Sequence, residues 1–431
     1  MKFDKSESIL KTHKVSNQNR YLITGGYAIS LIIFGFLVDA PKKILYGMYR
    51  IIVQPDALIT DYIGVGGMGA AFVNAGLLTL IFLGLLYYLK IYFSGATMAA
   101  LFLIEGFSFF GKNLFNVWFI VLGVYLYSKV QKDKFSKYIY VALFGTAMGP
   151  MVTEIFFYTQ FSIYIRIVIG SLVGLSIGFI LPPLSAYMMK VHQGFNLYNI
   201  GFTAGMIGTI FVSVFKSYGF SPNIQFIWTT GNNQILSIFL FFMFTSMIFI
   251  GFYFNDKSFK RVKHIMQYEG RLITDFMLLE GFPPTLINMG INGLLSTVYV
   301  LLIGGDLNGP TIGGILTVVG FGAFGKHSKN IIPIWIGVYI GSITKMWNIN
   351  DPSILLAALF GTSLAPIAGE FGWKYGILAG FIHSSVVLNV GVLHGGLNLY
   401  NNGFAAGIVA AVLLPIIQAF RKEREMNHET H

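Results

Sequence analysis

Two polar blocks interrupt an otherwise apolar chain, and each is a near copy of the other. HQGFNLYNIGFTAG is followed about two hundred residues later by HGGLNLYNNGFAAG. Two further pairs of segments align in the same order, so coincidence is an unlikely source and the sequence predicts an internal duplication of about 150 residues. The matching segments are 94–128 with 308–342, 142–154 with 358–370, and 192–205 with 394–407.

The composition excludes a soluble domain. Hydrophobic residues make up 55% of the chain and charged residues only 11%, which cannot enclose an apolar interior with a polar surface. Between Tyr21 and Phe420 there are about fourteen apolar stretches that are long enough to cross a bilayer. The sequence therefore predicts an all-α integral membrane protein with about fourteen transmembrane or re-entrant helices. Segments 93–111, 115–129 and 309–325 are among these predicted spans.

The basic loops predict that the two repeats have opposite orientations. In repeat one, Lys112 is alone in the first loop, and the next loop, 129–137, holds four lysines. In repeat two the first loop holds Lys326 and Lys329, and the next holds Lys345. Because basic loops face the cytoplasm, this exchange indicates an inverted pair. The repeats also begin about seven spans apart, and an odd number reverses orientation.

The predicted organisation places the first and eighth spans outside the duplication, so that the eighth span inverts the second copy. The N- and C-termini are expected in the cytoplasm of a cell-membrane protein. Basic residues in 41–56 would then lie outside, so this stretch is either an interfacial helix or a sign that the first span is misjudged. The predicted divisions are 1–56 (cytoplasmic N-terminus, first span and interfacial segment), 57–217 (repeat one), 218–274 (connecting span and basic cytoplasmic linker), 275–420 (repeat two) and 421–431 (cytoplasmic tail).

The repeated polar blocks are the best candidates for contact with a solute. Each brings an imidazole, two amides and a phenol within eight residues, which a lipid-facing helix would not tolerate. We interpret each block as a broken or re-entrant element that lines a cavity. The alternative is that these side chains only cap helices and bond between them. The candidate residues are His192, Asn196, Tyr198, Asn199, His394, Asn398, Tyr400 and Asn401.

Asn74 and Asn288 form another symmetric polar pair within apolar, glycine-bearing spans. Each either bonds across helices or faces the cavity as a solute ligand, and we include both among the predicted solute-binding residues.

Paired charged residues suggest ion coupling. Glu154 and Glu370 occupy the same repeat position, each four residues after a proline, and are candidates for a proton or cation site; the alternative is an ordinary water-facing helix end. Glu105 and Glu280 have no acidic counterpart and are weaker candidates. Three further residues are expected to be structural. Lys112 and Lys326 should anchor helix ends at the interface, and His383 should be a buried, hydrogen-bonded side chain.

Enzyme motifs such as HExxH, a P-loop or GxSxG are absent from the sequence. The favoured function is a secondary transporter or channel for a small polar solute, with proton or sodium coupling as an option and with its path between two inverted repeats. The alternatives are an intramembrane lipid-modifying transferase and a membrane scaffold or sensor. The expected partners are the lipid bilayer and a small polar solute or ion, without nucleic acid, cofactor or metal; a homo-oligomer is left open.

The doubled arrangement, with HGGxNLYNNGFAAG closing each half, resembles a bacterial integral-membrane family whose domain of unknown function occurs twice per chain. The resemblance runs from about residue 55 to about residue 420. It implies a multi-pass bacterial membrane protein and supplies no substrate or catalytic residue. A weaker likeness is to urea channels, which are also inverted duplications around symmetric polar residues. Their asparagine-proline-leucine-serine-glycine signature is missing here, which argues against urea as the substrate.

Overall fold

The computed structural model describes residues 15–158, 161–220, 222 and 225–429. Residues 1–14, predicted to be cytoplasmic, and residues 430 and 431 of the predicted tail lie outside the described residues.

The first half of the chain is helical apart from one very short strand. Polar residues cap the start of some helices. Asp61, for example, accepts a hydrogen bond from the Ile63 amide at the start of the helix that follows it. The elements are α1 (Asn17–Val38), α2 (Pro41–Val53), β1 (Ile59–Thr60), α3 (Tyr62–Gly66), α4 (Met68–Tyr88), α5 (Gly95–Phe107), α6 (Trp118–Val130), α7 (Ile139–Gly145), α8 (Gly149–Tyr158), α9 (Ile163–His192) and α10 (Asn199–Ser217).

The second half repeats the order of the helices, but its strand comes before its first helix rather than after its second. Its strand pairs in parallel with β1, with Ile59 opposite Phe226 and Thr60 opposite Ile227. The elements are β2 (Phe226–Ile227), α11 (Asn233–Phe254), α12 (Lys260–Ile265), α13 (Phe276–Leu279), α14 (Phe282–Leu302), α15 (Gly309–Phe321), α16 (Ser328–Thr344), α17 (Pro352–Gly361), α18 (Ala365–Phe371), α19 (Trp373–Val390) and α20 (Asn401–Glu429).

Ten helical segments of the described chain are long and apolar enough to cross a membrane, which confirms a multi-pass, all-α membrane protein. The prediction of about fourteen transmembrane or re-entrant helices is confirmed in part, with ten candidate full spans in the described part of the chain. Helices α5, α6 and α15 have 13 residues each. At 1.5 Å per residue they are about 20 Å long, less than a hydrocarbon core of about 30 Å. The segments 93–111, 115–129 and 309–325 are therefore not full spans. The ten segments are Asn17–Val38, Met68–Tyr88, Phe135–Phe157, Ile163–His192, Asn199–Ser217, Asn233–Phe254, Phe282–Leu302, Pro352–Phe371, Trp373–His394 and Asn401–Arg421.

Helices α1 and α11, the first and eighth predicted spans, occupy equivalent places in the two halves. Gly35 of α1 lies against the backbone of Gly69 in α4, and Gly251 of α11 lies against the backbone of Pro283 in α14. Positions 69 and 283 are equivalent in the repeat alignment. Such close helix contacts need only small residues at a few positions. That the two helices lie outside the duplicated sequence stays a prediction.

The short helices α5 and α15 pack antiparallel in the interior. Gly106 of α5 meets the backbone of Gly313 in α15, where a Cβ at position 106 would lie 2.7 Å from the Gly313 oxygen. Gly95 at the start of α5 lies beside Ala323, just beyond the end of α15. Nearly every residue of both helices is buried. This pair is therefore the inner core at which the two halves meet.

Each half caps the short helix of the other half. The Asp61 carboxylate accepts a hydrogen bond from the Gly309 amide of α15 at 3.1 Å. The Asp275 carboxylate accepts one from the Gly95 amide of α5 at 2.9 Å. Burial raises the pKa of both aspartates, and the backbone donors oppose that rise. These reciprocal caps satisfy amides that a helix cannot bond internally.

Contacts between loops define two faces of the molecule. On the basic face, the Phe93 amide donates to Asn17 Oδ1, and Arg271 donates to the Gln193 carbonyl. Gln418 near the end of α20 also reaches Gln193, so α1 begins and α20 ends at this face. The loops 129–137 and 255–271 belong to it. The opposite face carries the paired strands and the segments 304–309 and 391–396.

The segment after α1 differs from a simple loop. Helix α2 begins with Pro41 at its first position and buries only Ile44, Gly47 and Ile51. Its remaining residues are largely exposed. This amphipathic helix is the form that the interfacial alternative for 41–56 requires.

Candidate functional site

Each repeated polar block forms a sharp break between two helices. His192 at the end of α9 bonds through Nε2 to Asn199 Oδ1 at 2.9 Å, and His394 bonds to Asn401 Oδ1 at 2.9 Å. Gln193 has a positive φ of 51°, in the left-handed region that few residues adopt. The histidine therefore closes the turn across which the chain reverses into the next helix.

The amides of the blocks fix the tyrosines. Asn196 Oδ1 accepts from the Tyr198 amide at 3.0 Å, and Asn398 Oδ1 accepts from the Tyr400 amide at 3.0 Å. Asn196 also donates to the carbonyl of Gly403 in the other half, at 2.9 Å. The predicted histidines and these asparagines thus bond to nearby chain, as the helix-bonding alternative describes. Their effect is to hold the two tyrosines in place.

Four aromatic rings form a continuous row through the interior, hereafter the aromatic row: Phe107, Tyr400, Tyr198 and Phe321. The ring centroids are 4.8 Å apart between Phe107 and Tyr400, 5.2 Å between the two tyrosines, and 4.9 Å between Tyr198 and Phe321. The phenylalanines come from equivalent positions of α5 and α15. The row is therefore symmetric about the contact between the tyrosines.

Two buried lysines flank the aromatic row. Lys326 Nζ donates to Tyr198 Oη at 2.6 Å and to Thr362 Oγ1 at 2.7 Å. Lys112 Nζ lies 5.0 Å from the Phe107 ring centroid and has no hydrogen-bond partner among the described residues. Both side chains are 0% exposed. The prediction that they anchor helix ends at the interface was wrong. The shared FGK sequence at the same repeat position was the signal that marked them as a pair.

Asn74 and Asn288 hold the chain that carries these lysines. Asn74 Nδ2 donates to the carbonyls of Ser108 and Lys112 at 2.7 and 2.9 Å. Asn288 Nδ2 donates to the carbonyls of Gly322 and Lys326 at 2.7 and 2.8 Å. Each asparagine therefore replaces the hydrogen bonds that the backbone loses where α5 and α15 end. Their predicted role as solute ligands is not needed to explain this position.

A cavity of about 220 Å³ extends inward from the basic face and reaches both tyrosines. Asn199 lines it, so three of the predicted solute-binding residues reach this cavity. The other lining side chains are mainly apolar. They include Tyr140, Phe144, Leu272, Phe321 and Phe324.

A second cavity, of about 180 Å³, lies at the opposite face. Asn401 lines it at the position equivalent to Asn199 in the first cavity. Leu58 lines it at the position equivalent to Leu272. The two cavities are thus built from corresponding parts of the repeats, although the second one does not reach the tyrosines.

A difference in aromatic packing accounts for the shorter second cavity. Toward the opposite face, Phe107 contacts Phe110 and Phe360, with centroid distances of 5.2 and 5.6 Å. The equivalent residues toward the basic face are Phe321, Phe324 and Phe144, and all three line the first cavity. Among the described residues, the basic side keeps one of these ring contacts, Phe144 with Phe321 at 6.0 Å, and the basic-face cavity reaches the centre.

Glu154 and Glu370 lie in different environments. Glu154 is fully buried in α8. Nearby, Asp56 accepts from Tyr62 Oη at 3.0 Å; burial, together with the charge of Glu154, raises the pKa of Asp56 well above its usual range. Glu370 is partly exposed at the basic face, in a cavity of about 340 Å³ with Arg271. The structure therefore does not bring the two predicted coupling residues together.

Of the remaining candidates, Glu280 and His383 have local partners. Glu280 accepts from Tyr268 Oη at 2.8 Å, and burial together with this bond raises the pKa of Tyr268 to about 12. His383 is buried, as expected, and its Nε2 bonds to Asn402 Oδ1 at 3.0 Å. Glu105 is buried in α5. No group of three or more histidine, aspartate or glutamate side chains suited to a metal is present in the described residues.

Comparison with known families identifies the chain. The model of the family described as "Protein of unknown function (DUF1576)" matches residues 40–217 and 254–419. This is more than half of the sequence, so the chain belongs to that family. No curated protein and no solved structure is significantly similar to it.

Proposed function

We propose that this member of the DUF1576 family is a secondary carrier for a small solute, with its path between two inverted repeats. The observation that carries the proposal is the pair of cavities at opposite faces, lined by equivalent residues and separated at the aromatic row. A carrier needs a central site that is accessible from either side in turn, and inverted repeats supply it when each half adopts the other's conformation.

The directions of α10 and α20 support an inverted arrangement. Both helices start at the interior tyrosines. Gly395, which precedes α20, lies against Val212 near the end of α10. Gln193, which precedes α10, bonds to Gln418 near the end of α20. Each helix therefore runs toward the loop that precedes its partner, which is the relation expected of an antiparallel pair.

The distribution of basic residues supports a cytoplasmic position for the basic face. The lysines of loop 129–137 and the basic residues of 255–271 lie there, together with the start of α1. Under the positive-inside rule the described ends of the chain are then cytoplasmic. Lys112 and Lys326 are buried and therefore carry no information about which loops face the cytoplasm. The charges of the remaining loops still favour a cytoplasmic basic face.

A carrier fits better than a channel because the path is closed in the centre. The rings of Tyr198 and Tyr400 are in contact, and the cluster of Phe107, Phe110 and Phe360 closes the route to the opposite face. A channel would need both barriers open at once. For coupling, we favour Glu154 over Glu370, since a buried carboxyl group changes its affinity for a cation more on exposure to water.

Cysteine labelling tests this proposal without knowledge of the solute. The chain has no cysteine, so Leu272→Cys and Leu58→Cys place one thiol at equivalent positions of the two cavities. A membrane-impermeant maleimide should label Leu272→Cys from the cytoplasmic side and Leu58→Cys from the outer side. Ile273→Cys, at a side chain 80% exposed beside Leu272, is the control for access outside the cavity.

The double variant Leu58→Cys/Leu272→Cys separates carrier from channel. A bulky adduct at position 272 should trap the state that is open to the cytoplasm and slow labelling at position 58 by about tenfold. The adduct on Ile273→Cys, combined with Leu58→Cys, should have no such effect. Independent labelling at the two positions would contradict a carrier, and labelling of both from one side would contradict inverted repeats.

A further inference from the structure

We infer that the solute is a small organic anion whose negative group is received by the Lys112 ammonium. This inference rests on the proposed carrier function and names its substrate class. It comes from the contrast between two buried lysines at equivalent positions, of which only one is hydrogen-bonded by the protein.

Lys112 is a fully buried lysine whose Nζ donors the described protein does not satisfy. Its side chain is 0% exposed, and Nζ has no hydrogen-bond partner within the described residues. Nζ lies over the Phe107 ring, 5.0 Å from its centroid. A ring face offsets only part of the hydration that a buried ammonium loses. An anionic ligand would supply the missing acceptors.

Lys326 shows what full protein coordination looks like at the same repeat position. Its Nζ has two hydroxyl acceptors, Tyr198 Oη and Thr362 Oγ1, and lies 4.6 Å from the Tyr198 ring centroid. The residues equivalent to Tyr198 and Thr362 in the other half are Tyr400 and Thr146. Neither of them accepts a hydrogen bond from Lys112. The protein therefore leaves open on one side the coordination that it completes on the other.

Neither lysine has an acidic partner within 4.0 Å in the part of the chain that the structure describes. The ion pairs found there are Lys43 with Asp39, Lys137 with Asp133, and His264 with Glu280. Two cations beside the aromatic row thus lack a nearby counter-ion, which favours a negative ligand at the centre. Glu105, on the helix that precedes Lys112, is the competing source of negative charge.

The cavity lining indicates the rest of the ligand. The basic-face cavity leads to Tyr198 and Tyr400, and its walls are mainly aromatic and aliphatic. Such walls suit an apolar body better than a sugar or an amino acid zwitterion. Lys112 does not line this cavity, so the negative group would reach Nζ only when the cluster of Phe107, Phe110 and Phe360 opens in the exchanged conformation. A cavity of about 220 Å³ limits the ligand to a small carboxylate with an aliphatic or aromatic body. The sequence-based expectation of a polar solute is narrowed to this class.

The test is thermal stability of the full-length protein in detergent with acetate, butyrate and benzoate, each compared with its neutral amide. We expect the carboxylates, and benzoate most, to raise the midpoint in a saturable way, and the amides to have little effect. Lys112→Gln should weaken benzoate binding about tenfold or more, because a charge-assisted contact is lost. Lys112→Arg, which keeps the charge, should retain it. Lys329→Gln, at an exposed lysine, is the matched control and should bind as wild type does.

Several results would overturn the inference: no carboxylate stabilises wild type up to about 100 mM, well above the millimolar range of weak binding; Lys112→Gln binds benzoate as wild type does; or amides and carboxylates act equally. Glu105→Gln tests the competing explanation, in which Glu105 and not a ligand neutralises Lys112. If Glu105 neutralises Lys112, its removal should strengthen benzoate binding, whereas an unchanged affinity leaves Lys112 as the sole determinant. If carboxylates bind but the double-cysteine labelling is independent, the carrier proposal fails and the anion site stands. If the labelling at the two cysteines is coupled but no carboxylate binds, the anion inference fails and the carrier proposal stands.

Discussion

The surroundings of Lys326 and Lys112 differ although the two residues hold equivalent positions. Lys326 is bonded to Tyr198 from the first half and to Thr362 from the second. Lys112 lies against Phe107 without a hydrogen-bond partner among the described residues. On the side of Lys112, Phe107 packs against Phe110. Their equivalents on the side of Lys326, Phe321 and Phe324, line the basic-face cavity. Equal sequence positions therefore occupy two conformations within one molecule.

The two halves are alike in some contacts and differ in others. The histidine turns match closely between the halves, with His192 and His394 both at 2.9 Å from their asparagines, and so do the bonds of Asn74 and Asn288. The block asparagines match only in part, since Asn196 Nδ2 donates to Gly403 and Asn398 Nδ2 has no partner among the described residues. The lysines and the phenylalanines do not match. A carrier whose halves exchange conformations would keep the first set constant and exchange the second. Substitutions at equivalent positions of the two halves distinguish the constant set from the exchanged set.

Replacing each lysine by methionine should give the largest difference between the two halves in the free energy of unfolding. Lys326→Met leaves Tyr198 and Thr362 without their buried partner and should lower the free energy of unfolding by about 2 kcal/mol. Lys112→Met replaces an unbonded ammonium by an apolar side chain of similar size and should be neutral or stabilising by about 1 kcal/mol. Chemical denaturation in detergent, without added anions, measures both. Equal losses for the two variants would show that the lysines are equivalent after all.

The reciprocal caps should be similar in both halves, with a modest excess for Asp61. Asp61→Ala and Asp275→Ala each expose amides of the partner helix and should each cost about 1 to 2 kcal/mol. Asp61 should cost more because its carboxylate also accepts from the amide and hydroxyl of Thr229. Thermal midpoints of the two variants measure the difference. A loss confined to one variant would contradict reciprocal capping.

Asp56 should give the first half a pH dependence that the second half, with Gly270 at the equivalent position, cannot have. Burial raises the pKa of Asp56 well above its usual range, so the folded chain binds this proton more tightly than the unfolded chain. Its contribution to stability is complete below about pH 4, the unfolded pKa, and falls as pH rises toward the folded pKa.

Comparison of wild type with Asp56→Asn from pH 5 to pH 8 measures this contribution. Wild type should lose about 1 kcal/mol more stability than the variant over that range. Asp351→Asn, in a loop of the opposite face, is the control and should follow wild type. Parallel curves for wild type and Asp56→Asn would mean that Asp56 does not hold the proton.

The histidine turns should be the most symmetric feature and give the smallest effect. His192→Phe and His394→Phe each remove one bond to an asparagine and should cost about 1 kcal/mol, with similar values in both halves. If these histidines contact solute, as the sequence suggests, the two variants should instead weaken benzoate binding. Denaturation and benzoate titration of the same samples distinguish the two roles.

Much of the fold followed from the sequence because duplication is visible in residue identity. The membrane class, the equivalent pairs and the break at each polar block were predicted from composition and from the repeated segments. The lengths of α5, α6 and α15 were not, since a run of apolar residues has the same hydropathy whether it spans lipid or ends inside the protein. The matching contacts of α1 with α4 and of α11 with α14 could not be predicted, because they need only scattered small residues.

Composition and residue identity are enough to establish that the chain is a duplicated membrane protein and which residues have an equivalent in the other half. What those residues contact depends on the folded chain. Lys112 and Lys326 share the sequence FGK, which at a helix end is typical of an interfacial anchor. Burial of both, and hydrogen bonding of one, depend on residues distant in the chain, Tyr198 and Thr362 among them. Local sequence fixes a side chain's chemistry, but its charge balance and its partners are set by the folded surroundings.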